Sequence, residues 1–339
     1  MPQPDLSRFA RIRLLDGPTP IQELKRLNAE LGGVRIFVKR DDFTAIGGGG
    51  NKLRKLEFLL GEAKAQGADT VITVGARQSN HARLTAAACA HAGLACELVL
   101  LRTVPRNDAD YVNNGNILLD DLFGATVHDL PKDGDVGALV SQRFEALAKE
   151  DRKVYFAPVG GSSAVGCLGY VSCALEIEAQ SERMGLKFTN VITANGSSGT
   201  HAGLAAGFAA SGRGAAFAKS YAVYYDAPKT LGITLEKARE TLALLDPSAT
   251  LTDADIVVDG AHRGEGYGIP TPGMIDAVRT MAGNEGLLLD PVYSGKAFAG
   301  LLHDIRGGKY RRGDNVLFLM TGGVPGLFAY QSVFRNQIS

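Results

Sequence analysis

Short runs of apolar residues recur along the chain, separated by longer stretches in which apolar positions follow a helical spacing. β-Branched and aliphatic residues dominate the short runs, which is typical of strands buried on both faces. The runs lie at residues 70–74, 96–100, 154–157, 190–194, 221–225 and 316–319. The pattern therefore predicts six buried strands.

The stretches between these runs predict helices. Apolar residues spaced along residues 53–63 share one helical face, and Gly67 ends the pattern. A second helix follows Asn80 and ends at Gly93. Strands that alternate with helices predict an α/β fold of parallel sheets covered by helices.

Two segments interrupt this alternation. Residues 105–116 are polar and rich in Asn and Asp, so we expect them to run over the surface. Residues 158–163 contain a Gly-Gly-Ser-Ser cluster, and we expect the chain to cross there between two domains.

Composition narrows the class of protein. The 339 residues carry 36 basic and 36 acidic side chains, so no net field draws the chain toward nucleic acid or an anionic membrane. No apolar run approaches the roughly 20 residues of a membrane span, and residues 1–5 do not resemble a signal peptide. The four cysteines show no metal-ligand or redox spacing. We expect buried thiols, no metal site and a cytoplasmic location.

The segment Gly47-Gly48-Gly49-Gly50-Asn51-Lys52 carries the clearest chemical signal. Glycines allow tight bends and close approach to a ligand, and Lys52 stands where a helical pattern begins. An amine at that junction can form an imine with an aldehyde cofactor and can carry protons. The phosphate loop of NTPases requires Gly-Lys-Ser/Thr, which Asn51 and Leu53 exclude. The alternative is a basic helix start after a flexible turn.

Further polar loops follow predicted strands, where open α/β folds bind ligands. The run Gly196-Ser197-Ser198-Gly199-Thr200 predicts a phosphate-binding cup at a helix N-terminus. It has neither the dinucleotide fingerprint nor the Gly-x-Ser-x-Gly spacing of a serine hydrolase. Other candidates stand beside glycines, a helix start or a strand end, where helix capping and packing are the alternative interpretations: Ser79, Asn80, His81, Tyr267, Tyr293 and Thr321.

Together these blocks resemble the pyridoxal-phosphate (PLP) family of D-cysteine desulfhydrase and 1-aminocyclopropane-1-carboxylate (ACC) deaminase. The resemblance extends from Pro18-Thr19-Pro20 to Thr321-Gly322-Gly323-Val324-Pro325, nearly the whole chain. Its most specific blocks are residues 49–58, Gln78-Ser79-Asn80-His81 and residues 289–296. It implies a tryptophan-synthase-β-like PLP fold (fold type II) with two α/β domains. The larger domain would comprise residues 1–52 and 163–339, and the smaller one residues 53–162.

The same resemblance implies roles for these residues. Lys52 would bind the cofactor covalently, Asn80 would bond its ring oxygen, and Thr321 would stand near its ring nitrogen. Lys55 and residues 196–200 would hold the phosphate. Ser79, Asn80, His81, Tyr267 and Tyr293 would face a small amino-acid substrate. The resemblance also implies a homodimer.

The resemblance favours one reaction over its neighbours. ACC deaminases carry Glu and Leu where this chain has Ser294 and Thr321, and desulfhydrases carry the residues found here. We therefore expect elimination of hydrogen sulfide from D-cysteine. L-Cysteate sulfo-lyase is an alternative if Arg77 reaches the cleft and binds a sulfonate. The Tyr224-Tyr225 pair departs from the family pattern, and ACC deaminase or a noncatalytic PLP-binding protein are further alternatives.

Overall fold

A computed structural model describes residues 4–335, and residues 1–3 and 336–339 lie outside the described part of the chain. Ten strands and thirteen helices are named in chain order. The strands are β1 (Ile21–Glu23), β2 (Arg35–Lys39), β3 (Thr70–Ala76), β4 (Ala95–Leu101), β5 (Thr126–Leu130), β6 (Val154–Ala157), β7 (Asn190–Asn195), β8 (Ala218–Ala222), β9 (Val257–Asp259) and β10 (Asn315–Leu319). The helices are α1 (Lys25–Asn28), α2 (Lys52–Ala65), α3 (Asn80–Ala92), α4 (Ala109–Asn113), α5 (Asn116–Leu122), α6 (Val136–Ala148), α7 (Ala164–Met184), α8 (Gly199–Ala210), α9 (Ala227–Leu245), α10 (Pro272–Glu285), α11 (Ser294–Arg306), α12 (Pro325–Ala329) and α13 (Gln331–Phe334).

The strands form two sheets. The six-stranded sheet has the order β1-β2-β10-β7-β8-β9, and every pairing in it is parallel except that of β1 with β2. The four-stranded sheet has the order β5-β4-β3-β6 and is parallel throughout. The predicted α/β class is confirmed. Parallel strands need helices on their faces, which explains the continuous apolar runs seen in the sequence.

Each sheet has a point at which the chain reverses its direction of winding. In the small sheet, β4 and β5 lie on one side of β3, and β6 lies on the other. In the large sheet, β8 and β9 lie on one side of β7, and β10 lies on the other. Ligands of open α/β sheets bind at the carboxyl ends of strands beside such a switch point.

The hydrophobic core is divided among the faces of the two sheets. Leu24, Phe298 and Phe318 belong to a cluster on one face of the large sheet, under α10 and α11. Phe208 and Leu317 belong to a cluster on its opposite face, under α7 and α8. The four cysteines are buried and unpaired, as predicted. No helix within residues 4–335 has both the length and the hydrophobicity of a membrane span.

Two predictions about local structure were wrong. The strand predicted at residues 221–225 is β8, which ends at Ala222, so Tyr224 and Tyr225 follow the strand. Residues 105–116 do not simply run over the surface, because they contain α4 and the first residue of α5. Tyr111 and Asn116 in that segment are buried.

The expected crossing at residues 158–163 agrees with the sheet order, because β6 belongs to the small sheet and β7 to the large one. The exact division into residues 1–52 with 163–339 and residues 53–162 stays a prediction.

Candidate active site

A cavity of about 560 Å³ lies at both switch points. Its lining comes from the loops after β3 and β6 in the small sheet and after β7 and β10 in the large sheet. Lys52 contributes from the start of α2. This volume is within the usual range of small-molecule sites.

The glycine loop before Lys52 adopts a backbone that only glycine accepts readily. All four residues from Gly47 to Gly50 have positive φ angles, and a Cβ at Gly49 would lie 2.1 Å from the carbonyl oxygen of Asp42. Arg83 of α3 donates hydrogen bonds to the carbonyls of Gly47 and Gly49. The Asn51 N–H donates to the carbonyl of Thr321 at 3.1 Å. The loop is therefore fixed from two sides, which positions Lys52.

The amine of Lys52 is prepared for nucleophilic chemistry. Burial lowers its pKa to about 8, with Arg83 acting in the same direction and the carboxylate of Asp290 against it. Its Nζ donates to Oδ1 of Asn51 at 3.1 Å, and Asn51 donates to Thr200 Oγ1 at 3.1 Å. At pH 7 about a tenth of Lys52 is therefore neutral, far more than for a lysine of ordinary pKa, and attack on a carbonyl requires the neutral amine.

The N-terminus of α3 presents three polar side chains to the cavity. Ser79 caps the helix by accepting a hydrogen bond from the Ala82 N–H at 3.1 Å, which leaves its own proton free to donate. Asn116 donates to Oδ1 of Asn80 at 2.9 Å, so the amide nitrogen of Asn80 remains as a donor. Burial holds the pKa of His81 well below its usual value. Its Nε2 bonds to Thr73 at 2.9 Å, and its buried Nδ1 has no partner within residues 4–335.

The predicted cup forms the start of α8. Gly196, Ser197, Ser198 and Thr200 line the cavity. Ser198 is a non-glycine residue in the left-handed region, with φ of 70°, and its buried hydroxyl has no hydrogen-bond partner in the described chain. A strained backbone and an unsatisfied donor beside a helix N-terminus are both explained by an anion that binds there.

Two lysines flank this cup. Lys55 is fully buried and donates to the carbonyl of Gly160 at 3.0 Å and to Ser162 Oγ at 3.1 Å. A Cβ at Gly199 would lie 2.5 Å from Ser162 Oγ and 2.8 Å from Lys55 Nζ, so a larger residue there would displace both side chains. Lys237 of α9 lines the cavity. Burial, with the charges of Lys52 and Lys237, holds the pKa of Lys55 well below its usual value. An anion between these amines would relieve that repulsion.

A pair of tyrosines stands beside Lys52. The hydroxyls of Tyr267 and Tyr293 are 2.6 Å apart, and Lys52 Nζ lies 6.0 Å from the Tyr293 ring centroid. Burial raises the pKa of both phenols, so both stay protonated at neutral pH. A Cβ at Gly196 would lie 2.9 Å from the Tyr293 ring, so this glycine makes room for the ring.

Residues near the end of β10 and before α11 complete the site. Thr321 lines the cavity and does not cap α12, whose N-cap is Val324. Asp290 is buried and accepts hydrogen bonds from the N–H groups of Val292, Tyr293 and Ser294. The Ser294 hydroxyl donates to the same carboxylate at 2.6 Å. Asp290 thus fixes the turn that carries Tyr293.

The structure brings almost all the predicted residues to one cavity. Lys55 and Gly199 lie directly behind its lining, and the others line it: Lys52, Ser79, Asn80, His81, Gly196, Ser197, Ser198, Thr200, Tyr267, Tyr293 and Thr321. Arg77 does not meet the condition on which the L-cysteate alternative depended. Its guanidinium pairs with Asp129 of β5, and it does not line the cavity.

Sequence reasoning missed Asn51, Ser162 and Lys237, which line the cavity, and Asn116, which orients Asn80. Asn51 adjoins Lys52 and Ser162 lies in the noted Gly-Gly-Ser-Ser cluster, so a local signal existed for both. Lys237 lies within an ordinary helical pattern, and Asn116 lies in a segment interpreted as surface. No local signal marks either residue.

The site residues fit a phosphate-bearing aldehyde cofactor. For the phosphate, the cup supplies the unsatisfied hydroxyl of Ser198 and the N-terminus of the twelve-residue helix α8. The amines of Lys55 and Lys237 lie nearby. The neutral fraction of Lys52 suits the aldehyde, and the free amide donor of Asn80 suits a ring oxygen. These are the residues that would hold PLP.

The comparisons with known proteins identify the family of the chain. The model of the family described as pyridoxal-phosphate dependent enzyme matches residues 12–322. An ACC deaminase of Burkholderia ambifaria is 40% identical over 341 residues, covering 98% of this chain and 99% of that protein. A D-cysteine desulfhydrase of Serratia proteamaculans is 42% identical over 329 residues, covering 97% and 98%.

Solved structures also match this chain over nearly its whole length. The crystal structure of an ACC deaminase homologue has a TM-score of 0.83 and 36% identity, and the match covers 97% of this chain and 96% of that one. A threonine deaminase with a TM-score of 0.62 and 19% identity shares the fold. These matches confirm fold type II. The chain belongs to the pyridoxal-phosphate-dependent enzyme family, within its group of ACC deaminases and D-cysteine desulfhydrases.

Proposed function

We propose that this enzyme is a carbon–sulfur lyase that eliminates the β-substituent of a substituted alanine such as D-cysteine, releasing pyruvate, hydrogen sulfide and ammonia. The observation that carries the proposal is the cavity lining. Lys52 and the Tyr267–Tyr293 pair stand together, and no aspartate or glutamate of the described residues lines the cavity. Thr321 would place a hydroxyl near the ring nitrogen of the cofactor. An acidic side chain at that place would keep the nitrogen protonated and favour a long-lived carbanion.

Bound PLP supplies the electron sink that makes the α-proton of an amino acid acidic. The chain's residues supply the rest. The substrate carboxylate would bind at the N-terminus of α3, where the dipole is positive and Ser79 donates. Lys52 Nζ would take the α-proton of the substrate. The protonated phenols of Tyr267 and Tyr293 would donate to the departing sulfur.

The lining also bears on the alternatives. A sulfonate would call for a cation near the β-substituent, and Arg77 is paired with Asp129, so the feature that favoured L-cysteate is absent. ACC has no leaving group on its ring, and the comparisons match ACC deaminases and desulfhydrases equally well. Thr321 therefore carries the preference for elimination over ring opening.

A substrate panel tests the proposal. The loaded enzyme is incubated with D-cysteine, L-cysteine, L-cysteate and ACC, and pyruvate, 2-oxobutyrate, sulfide and sulfite are measured. We expect pyruvate and sulfide from a cysteine enantiomer. 2-Oxobutyrate from ACC alone would replace this reaction with deamination. A noncatalytic PLP-binding protein would give none of these products.

Covalent attachment can be tested independently by borohydride reduction and peptide mass spectrometry. Lys296 is a matched control within the same protein, because burial also lowers its pKa to about 8 but its amine donates to backbone carbonyls outside the cavity. We expect the adduct on Lys52 and not on Lys296. Lys52→Ala should lower turnover by at least about 1,000-fold. Wild-type turnover in the Lys52→Ala enzyme would contradict the assignment.

The homodimer implied by the resemblance is likewise a proposal, which sedimentation equilibrium of the loaded enzyme tests.

A further inference from the structure

Four tyrosines form a continuous row that begins beside Lys52. The row consists of Tyr293, Tyr267, Tyr224 and Tyr225, and we name it the aromatic wall. Its neighbouring ring centroids are 5.8, 4.8 and 4.4 Å apart in that order, with edge-to-face packing at each step. All four residues line the cavity. The wall extends well beyond the groups needed next to a reacting amine.

The outer half of the wall is held in place by the chain around it. Tyr224 and Tyr225 lie between the end of β8 and the start of α9, where Asp226 caps the helix by accepting from the Lys229 N–H at 2.9 Å. The ammonium of Lys229 lies 4.1 Å from the Tyr225 ring centroid. Cation–π contact and edge-to-face packing both favour a fixed ring. The wall is therefore a preformed surface.

Apolar side chains from the small sheet line the same cavity. Phe156 and Val159 are 41% and 53% exposed, which is unusual for large hydrophobic residues that line a cleft. A ligand that covered them would bury apolar surface, which is favourable.

Charge is sparse in the lining. Among the described residues that line the cavity there is no arginine, aspartate or glutamate, and the two lysines are Lys52 and Lys237. Lys52 is used by the reaction, and Lys237 stands beside the cup, where its charge acts on Lys55. Lys229 contacts the Tyr225 ring but does not line the cavity, so a charged substituent inside the cavity would lose hydration without gaining a partner among the lining residues.

We infer that the preferred substrate is a cysteine whose sulfur carries an uncharged apolar or aromatic group, and that this group packs on the aromatic wall. The inference rests on the proposed lyase function and specifies its substrate class. The proton on Cα passes to Lys52, the Cβ–S bond breaks with its electron pair on sulfur, and the sulfur takes up a proton and leaves as a thiol. Water converts the remaining aminoacrylate to pyruvate and ammonia.

The test compares kcat/KM for both enantiomers of cysteine, S-benzylcysteine and S-carboxymethylcysteine, with pyruvate as the readout. The benzyl and carboxymethyl compounds both carry a substituted sulfur and differ in charge and hydrophobicity. We expect kcat/KM for S-benzylcysteine to exceed that for the other two by about tenfold or more, as expected for a filled apolar pocket. A preference for cysteine or for the carboxymethyl compound would overturn the inference.

Variants at the outer end of the wall locate the effect. Tyr225→Ser should lower the ratio of kcat/KM for S-benzylcysteine to that for cysteine by about tenfold, whereas Tyr225→Phe, which keeps the ring, should retain the wild-type ratio. An unchanged ratio in Tyr225→Ser would show that the wall does not select the substituent. Absence of pyruvate from every compound with the wild-type enzyme would instead overturn the proposed lyase function itself.

Discussion

The two ends of the cavity differ in the kind of ligand group that they can accept. At the cup end, Ser198 has an unsatisfied hydroxyl, and burial together with neighbouring amines lowers the pKa of Lys55. At the aromatic wall, Tyr224 and Tyr225 present rings to the cavity, and the nearby Lys229 does not line it. An unsatisfied polar site is specific for the one anion that completes it, and an apolar surface accepts many groups of suitable shape. We infer that the cup holds a constant group and the wall a variable one.

The difference can be tested at the cup by Lys55→Met. Loss of one charged hydrogen bond, about 1.5–3 kcal/mol, should weaken PLP binding by about 10- to 150-fold. Binding of pyridoxal, which lacks the phosphate, should change much less. Equilibrium dialysis of the apoenzyme measures both. Equal losses for the two compounds would mean that Lys55 acts through the fold and not on the phosphate.

Anion binding at the cup should also be accompanied by proton uptake. Because burial and two nearby amines hold the pKa of Lys55 well below its usual value, a bound dianion should raise it again. Calorimetric titration of the apoenzyme with inorganic phosphate in buffers of different ionisation enthalpy should show proton uptake, and Lys55→Met should reduce it.

Between the two ends, Lys52 should make cofactor incorporation depend on pH. Its pKa of about 8 lies below the ordinary value because burial disfavours the charged form. The neutral amine attacks an aldehyde, so the rate should rise by about 50-fold from pH 6 to pH 8 and level off above that range. Stopped-flow absorbance of the apoenzyme mixed with PLP measures this. A rate that still rises about tenfold between pH 8 and pH 9, as for a lysine of ordinary pKa, would contradict the lowered pKa.

Lys237 should contribute less than Lys55 to PLP binding at the cup end of the cavity. Its amine lines the cavity and acts on Lys55 only through its charge. Lys237→Met should weaken PLP binding by about tenfold at low salt and by less at high salt. Lys229→Met removes an exposed lysine of the same helix that contacts the Tyr225 ring and should leave PLP affinity unchanged. Equal losses of PLP affinity in the two variants would show that Lys237 has no specific role in binding the phosphate.

The predicted and observed strands show where the local sequence pattern is sufficient to place a strand. Five of the six predicted strands correspond closely to observed strands, because burial on both faces imposes an apolar run that can be seen locally. The sixth was displaced toward Tyr224 and Tyr225, because aromatic residues favour strands and also line cavities. The pairing partner decides the end of β8, since Ala222 pairs with Asn195, the last residue of β7.

The candidate site divides in the same way. Lys52, Ser79, Asn80 and the cup were predicted because glycines and polar residues cluster next to them along the chain. The position of Arg77 stayed open in the sequence because its partner, Asp129, is 52 residues away. Asn116 and Lys237 went unnoticed for the same reason: each acts on a residue far along the chain.

The sequence alone determined the alternation of strands and helices, the resemblance to the PLP family and the amine that opens α2. Those features depend on neighbours along the chain. Tertiary structure alone decided that the switch points of two sheets share one cavity, that Asn116 orients Asn80, and that four tyrosines from three separate segments form one wall. Such contacts join residues that are distant in sequence, and only the packing of the sheets brings them together.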